Sequence, residues 1–203
     1  MLTSVHFADF ETDCGISVRP DVLWIAVAAK VEDEPPLRAT AALRGAATSL
    51  GAALTAIHPG ARLAPGRLDF GGATTEKASR ASGTDVQLDG IAMIPLAADA
   101  GLWARAELAA RAVEALGDVA RTLAKSKPPV KLHWRNPVAR VAQTEPHRAA
   151  LAARFNAHWR ALTAETAGLP AATWDAPDEV VVIPVSLEEV RLVLGPARSG
   201  ARR

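Results

Sequence analysis

Gly15-Ile-Ser-Val-Arg-Pro-Asp-Val-Leu-Trp-Ile-Ala-Val-Ala-Ala-Lys-Val31 is the stretch that decides the class of fold. Residues 15–19 alternate in polarity, Pro20-Asp21 punctuates, and Val22 to Val31 is apolar and partly β-branched. Alternation and β-branching favour strands, and Pro-Asp favours a turn. The stretch therefore predicts two strands joined at Pro20-Asp21 as a hairpin-like pair. Acidic Glu32-Asp33-Glu34 leads on to Pro35-Pro36. Prolines suit the first turn of a helix, where a missing N–H costs nothing. Leu43, Ala47, Leu50, Leu54 and Ile57 recur at spacings of three and four, the stripe of an amphipathic helix that His58-Pro59-Gly60 stops.

The same reading extends outward. Arg62 to Phe70 and Val86 to Leu96 are strand candidates, with a polar loop over Thr74 to Thr84 between them. Leu102, Ala106, Ala109, Val113, Leu116, Ala120 and Leu123 form the most regular stripe in the chain and predict a helix to about Lys125. Lys127-Pro-Pro129 breaks it. Val130 to Arg135 alternates as a strand, is interrupted at Asn136-Pro137, and continues through Val138 to Ala142. Thr144-Glu145-Pro146 starts a third helix, striped by Leu151, Phe155, Trp159 and Leu162 and ended by Gly168 and Pro170. Val180 to Leu187 and Val190 to Leu194 close the fold as β-rich sequence. The order β-β-α-β-β-α-β-α-β predicts an α+β protein, a mixed β-sheet packed by about three amphipathic, Ala-rich helices. A single domain over residues 1–203 is expected, with an ordered core at about 14–195 and a basic tail at 196–203.

Composition narrows the function. The 203 residues are 49% hydrophobic and suffice for a sizeable core, yet only 4% are aromatic. One cysteine, Cys14, excludes an internal disulfide framework and a Cys-rich zinc site. No apolar run approaches the roughly 20 residues of a membrane span. Met1 to Phe10 shows neither a basic n-region nor an apolar h-region, so a cytoplasmic location is expected.

The opening strand pair resembles the start of SIMPL domains, a bacterial family of largely unknown function in which a glycine-containing strand precedes Pro-Asp and an apolar strand. The Ala-rich helix of residues 102–123 is similar to one in that family. So are the late helix of residues 144–168, with Arg148-Ala-Ala-Leu151, and the β-rich ending of residues 179–194. The resemblance covers residues 14–195. It implies a mixed α+β fold, no known catalytic residues and a tendency to oligomerise. Many members are exported, so the resemblance implies a periplasmic location as the alternative to a cytoplasmic one. Trp134-Arg-Asn-Pro137 has no counterpart in the family pattern.

Motifs for chemistry are weak. Ser49 lies one residue away from a G-x-S-x-G nucleophile elbow, but it sits inside a helical stripe, whereas the elbow needs a strand-to-helix turn. Gly71-Gly72-Ala-Thr74 lacks the lysine of a phosphate loop. His147 and His158 share a helix face, yet eleven residues rise about 16 Å, too far for one metal. Cys14 reads as a small buried hydrophobe. Asp69, Asp85, Asp89 and Asp99 read as exposed turn carboxylates, and Glu107 with Arg111 as a solvated i,i+4 pair. No cofactor and no metal site is called for.

Charge is more informative. The net charge is +1, but residues 1–100 carry 8 basic and 12 acidic residues, and residues 101–203 carry 15 and 10. Within 121–160 nine basic residues face one acid, Glu145, with Trp134, Phe155 and Trp159 interleaved. Phe155 and Trp159 lie on the apolar stripe and are expected to face the core. The residues put forward for ligand or partner binding are Lys131, His133, Trp134, Arg135, Arg140 and Arg148. The preferred expectation is a non-catalytic, self-associating scaffold or binding module, in which basic residues meet the acidic half of a neighbouring copy. The alternative is single-stranded nucleic-acid or anionic-ligand binding through 121–160, by phosphate contact and stacking. A small enzyme would need converging titratable groups in a cleft.

Overall fold

A computed structural model describes residues 14–71, 83–165 and 179–195. The lead-in before Cys14, residues 74–82 of the expected loop, the helix stop at Gly168 and Pro170, and the basic tail 196–203 lie outside the described residues. In chain order the elements are β1 (Ile16–Val18), β2 (Val22–Glu34), α1 (Pro36–Ile57), β3 (Arg62–Phe70), β4 (Thr84–Pro95), α2 (Leu102–Leu123), β5 (Lys131–Trp134), β6 (Val138–Arg140), α3 (Glu145–Glu165), β7 (Glu179–Pro184) and β8 (Val190–Gly195). The α+β class and the order of strands and helices agree with the sequence reading. The last two strand positions are each a pair of short strands. The chain forms two compact units, one from residues 21–139 and one from residues 1–20 with 140–203.

In the unit of residues 21–139 the sheet order is β3-β4-β2-β5, and these neighbours are antiparallel. With helices after β2 and β4, this is the split β-α-β arrangement of ferredoxin-like folds. The strict alternation of β2 explains its place at the centre. Leu23, Ile25, Val27, Ala29 and Val31 are buried, whereas Trp24, Ala26, Ala28, Lys30 and Glu32 are less so and lie on the opposite face. α1 packs on β2, β3 and β4, and α2 packs on α1 and β5. Their buried Ala39, Leu43, Ala46, Leu50 and Leu54, and Ala109, Ala112, Leu116 and Leu123, build the core with the inner sheet face. Each buried Leu or Ile side chain contributes about 1.5–3 kcal/mol of transfer free energy. Pro36 stands in the first turn of α1, as expected.

Details differ from the stripes: Ala46 and Ala112 are buried, whereas the stripe residues beside them, Ala47 and Val113, are only half-buried. Leu102, the first residue of the α2 stripe, is exposed. Arg105, off that stripe, is fully buried, and its guanidinium donates from Nε to Ala100 O at 2.8 Å and from a terminal nitrogen to Ala97 O at 3.2 Å. A buried guanidinium is tolerable because those carbonyls accept from it.

In the other unit β1, β8 and β7 form a three-stranded antiparallel sheet in the order β1-β8-β7. The expected hairpin of the first two strands is therefore absent: Ile16 to Val18 pair with Leu192 to Val190. The physical reason is occupancy. β2 already has β4 on one edge and β5 on the other, so no edge remains for β1. Gly15 is required beside this pairing, because a Cβ there would lie 2.5 Å from Arg191 Nε and 2.9 Å from Val193 Cγ1. Ser17 donates to a Glu189 carboxylate oxygen at 2.6 Å. α3 packs on β8, with Leu151 and Phe155 buried as the helix stripe predicts. The side chain of Trp159 lies outside the described part of α3.

Candidate functional site

The helices cover one face of the β3-β4-β2-β5 sheet. The opposite face carries a cleft of about 550 Å³. Register explains its shape. Ala26 pairs with Ile91 on β4, and Arg135 N–H donates to Ala26 O at 2.9 Å. Ala28 pairs with Asp89 on β4 and with His133 on β5. The floor is thus two alanines. One wall is Gln87, Asp89 and Ile91, and the other is His133 and Arg135, with Trp134 bordering it. Larger residues at 26 and 28 would fill the trough. The walls stand two strand spacings apart, about 10 Å.

The polar groups fall into two sets. At the β2 end beyond Ala28, Lys30 Nζ lies 2.9 Å from Asp85 Oδ2 and 3.1 Å from Glu32 Oε1, and Lys131 pairs with Glu32. The hydrogen bond to Asp85, then that to Glu32, holds the Lys30 ammonium above its ordinary value. Lys131 and then Lys30 hold Glu32 below the usual carboxylate range. Lys30 and then the Asp33 N–H do the same for Asp85. These four charges satisfy one another. In the cleft itself Gln87 Nε2 donates to Asp89 Oδ1 at 2.8 Å. Among the described residues, Asp89 has no ion-pair partner, and the side chains of His133 and Arg135 have neither hydrogen bond nor ion pair.

The sequence-derived residues divide accordingly. His133, Trp134 and Arg135 meet at the cleft. Lys131 is on the same strand but is committed to Glu32. Arg140 and Arg148 belong to the other unit, where Arg140 donates to Val182 O. Asp69 pairs with Arg67, and Asp99 is an exposed turn residue as expected. Asp69, Asp85 and Asp89 are corrections: they stand on β3 and β4 rather than in turns. Ala26, Ala28 and Gln87 were not singled out by sequence, and Asp89 was read only as a turn carboxylate. Their signal was present in β2, where small residues occupy outward positions that otherwise carry Trp24 and Lys30.

The other expectations resolve simply. The Ser49 hydroxyl donates to Gly45 O at 3.0 Å within α1, as a helix residue does. Cys14 is buried. The pair on α2 is Asp118 with Arg121, and Glu107 with Arg111 does not form one. Among the described residues no group of three or more His, Cys, Asp or Glu side chains is placed to hold a metal, and no helix is long and apolar enough to cross a membrane.

No family model and no curated protein matches the chain. Among solved structures, an uncharacterized conserved protein from Listeria innocua aligns with 88% of this chain and 89% of its own at 10% identity, with a TM-score of 0.27. A score that low carries no inference about fold or function.

Proposed function

We propose that this chain is a non-catalytic binding module whose recognition surface is the open face of the β3-β4-β2-β5 sheet. The observation that carries the reading is the alanine-floored cleft, walled by Asp89 and Gln87 on one side and by His133 and Arg135 on the other. Binding clefts combine a shaped cavity with a few polar groups that fix orientation, and this one has both. Membership of the SIMPL family is part of the same proposal, resting on the segments quoted from the sequence. The test is an NMR titration of the isotopically labelled chain with a panel of small carboxylates, amines and zwitterions. Shifts confined to residues 26, 28, 87, 89, 133 and 135, and lost in Ala28→Trp, are expected. A panel in which no compound moves these signals ends the reading.

A second reading is self-association through the same face. Acids on β4 and Arg135 just past β5 make the face complementary to a copy of itself turned by a two-fold axis. A mass by light scattering that rises with concentration and falls back with salt supports it, whereas a monomer mass throughout counts against it. Single-stranded nucleic acid fits this face less well. Lys131 is neutralised by Glu32, and Asp85 and Asp89 would repel phosphates.

A further inference from the structure

We infer that the cleft takes a zwitterion of dipeptide length, its ammonium group at Asp89 and its carboxylate at Arg135 and His133. The inference rests on the binding-module reading and adds the class of ligand.

Charge use on the open face is selective. Lys30, Glu32, Asp85 and Lys131 form a closed set of ion pairs at one end of the trough, and Asp69 is paired with Arg67. The charged groups left along the alanine floor are the Asp89 carboxylate on one wall and the Arg135 guanidinium on the other, with the His133 imidazole on the same wall as Arg135. Gln87 occupies Asp89 Oδ1, which leaves Oδ2 as an acceptor. A guanidinium matches a carboxylate with two parallel donors, and such charge-assisted bonds are about twice as strong as neutral ones. A purely anionic ligand would satisfy Arg135 but meet Asp89 with like charge. A purely cationic one would meet the reverse. Only an occupant with both charges uses both walls.

Length follows from the register. Ala28 separates Asp89 from His133 by one strand on each side, so the walls stand about 10 Å apart. A free α-amino acid carries both charges on one carbon and reaches only one wall. Arg135 lies opposite Ala26, two residues along from the Ala28 row, so the diagonal from Asp89 to it is about 12 Å. Two extended residues span up to about 7 Å, and a hydrogen bond of about 2.9 Å at each end brings their reach to about 13 Å. The side-chain carbonyl of Gln87 is not used in the bond to Asp89 and lines the same cleft, an acceptor open to a peptide N–H.

The probes are glycylglycine, 5-aminovalerate with similar charge separation but no peptide group, glycine, and an equimolar mixture of acetate and methylammonium. Binding is read by NMR titration of the full chain, with thermal unfolding to confirm that each variant is folded. Glycylglycine is expected to saturate the signals of Ala26, Ala28 and Asp89 at the lowest concentration. Asp89→Asn and Arg135→Gln are each expected to weaken it roughly tenfold, as loss of a charge-assisted bond implies. Binding of 5-aminovalerate equal to or tighter than glycylglycine replaces the dipeptide with an ω-amino carboxylate and overturns the peptide assignment. Glycine or the separate ions binding as tightly as glycylglycine overturns the two-wall geometry. Glycylglycine binding that Ala28→Trp abolishes but that both charge variants leave unchanged overturns the zwitterion, while the module reading stands. If none of these probes moves the cleft signals but another member of the panel does, this inference fails alone. If nothing does, both readings fail.

Discussion

Gly83 lies against Asp33 so closely that a Cβ at position 83 would overlap the Asp33 carbonyl. Asp33 itself adopts φ 55, a left-handed conformation that costs a side-chain-bearing residue about 1–2 kcal/mol. The register of β2 and β4 shifts here, between Val31 and Glu34. The bulge thus depends on a missing side chain just before β4 and a strained residue in β2. Gly83→Ala is expected to destabilise the fold by about 2 kcal/mol, because backbone rather than a flexible side chain must move. Asp33→Val is expected to cost about 1–2 kcal/mol, and Asp33→Gly to cost nothing or to stabilise. Urea unfolding of the three variants checks the order.

Arg105 is expected to be the most sensitive charged residue in the described chain. Its guanidinium is fully buried and holds the carbonyls of Ala97 and Ala100 in the connection to α2. Arg105→Ala removes those donors and leaves a void, a loss of about 3 kcal/mol. Arg105→Lys should recover little, since one compact ammonium does not reproduce a fork. A thermal melt in which Arg105→Ala matches the parent would refute this role.

The pH dependence of stability follows from the ion pairs of Lys30. Glu32 and Asp85 sit below their ordinary values of 4.5 and 3.8. Their contribution is complete above those values and is lost as pH falls through the lower folded-state values. Lys30 sits above 10.5, so its contribution is complete below 10.5 and is lost only as pH rises beyond that. Melting temperature should hold level between about pH 5 and 10 as far as these groups decide it, and decline on both sides. Lys30→Met should flatten the acid limb below pH 4.5, which a set of melts from pH 2 to 7 measures. The groups are partly solvated, so the effect should also shrink in high salt.

Gly45 and Gly51 lie within α1 with no neighbouring atom in the space a Cβ would occupy. Alanine restricts the unfolded chain and favours helix, so each Gly→Ala change should stabilise by about 0.5–1 kcal/mol. The two sites are six residues apart and should add. A double variant that melts no higher than the parent would show that one of these positions meets something beyond its helix.

Periodicity made the helices readable. Leu43, Leu50 and Leu54 are buried because one helical face presents them together, and Leu116, Leu123, Leu151 and Phe155 follow the same rule. Pairing was less readable, because it is non-local. Ser17 meets Arg191 across the sheet, and nothing near Ser17 in sequence names that partner. The cleft was half visible for the same reason. His133, Trp134 and Arg135 stood out as basic and aromatic neighbours on one segment. Asp89 joins them only because β2 sets Ala28 between β4 and β5. A sequence shows which side a strand residue faces, whereas the register decides whom it faces.

The chain enters the 21–139 unit at the start of β2 and leaves it through Val138 and Ala139 of β6, a strand that pairs with β2. Entry and exit therefore belong to paired strands. The unit of residues 1–20 and 140–203 is interrupted in sequence, whereas residues 21–139 are one continuous run. This is the topology of an insertion: one continuous run set within a discontinuous one, its two ends on paired strands. Expressed alone, residues 21–139 should fold and keep the cleft. Joining residue 20 to residue 140 through a short flexible linker would ask whether the remaining residues fold without the inserted run.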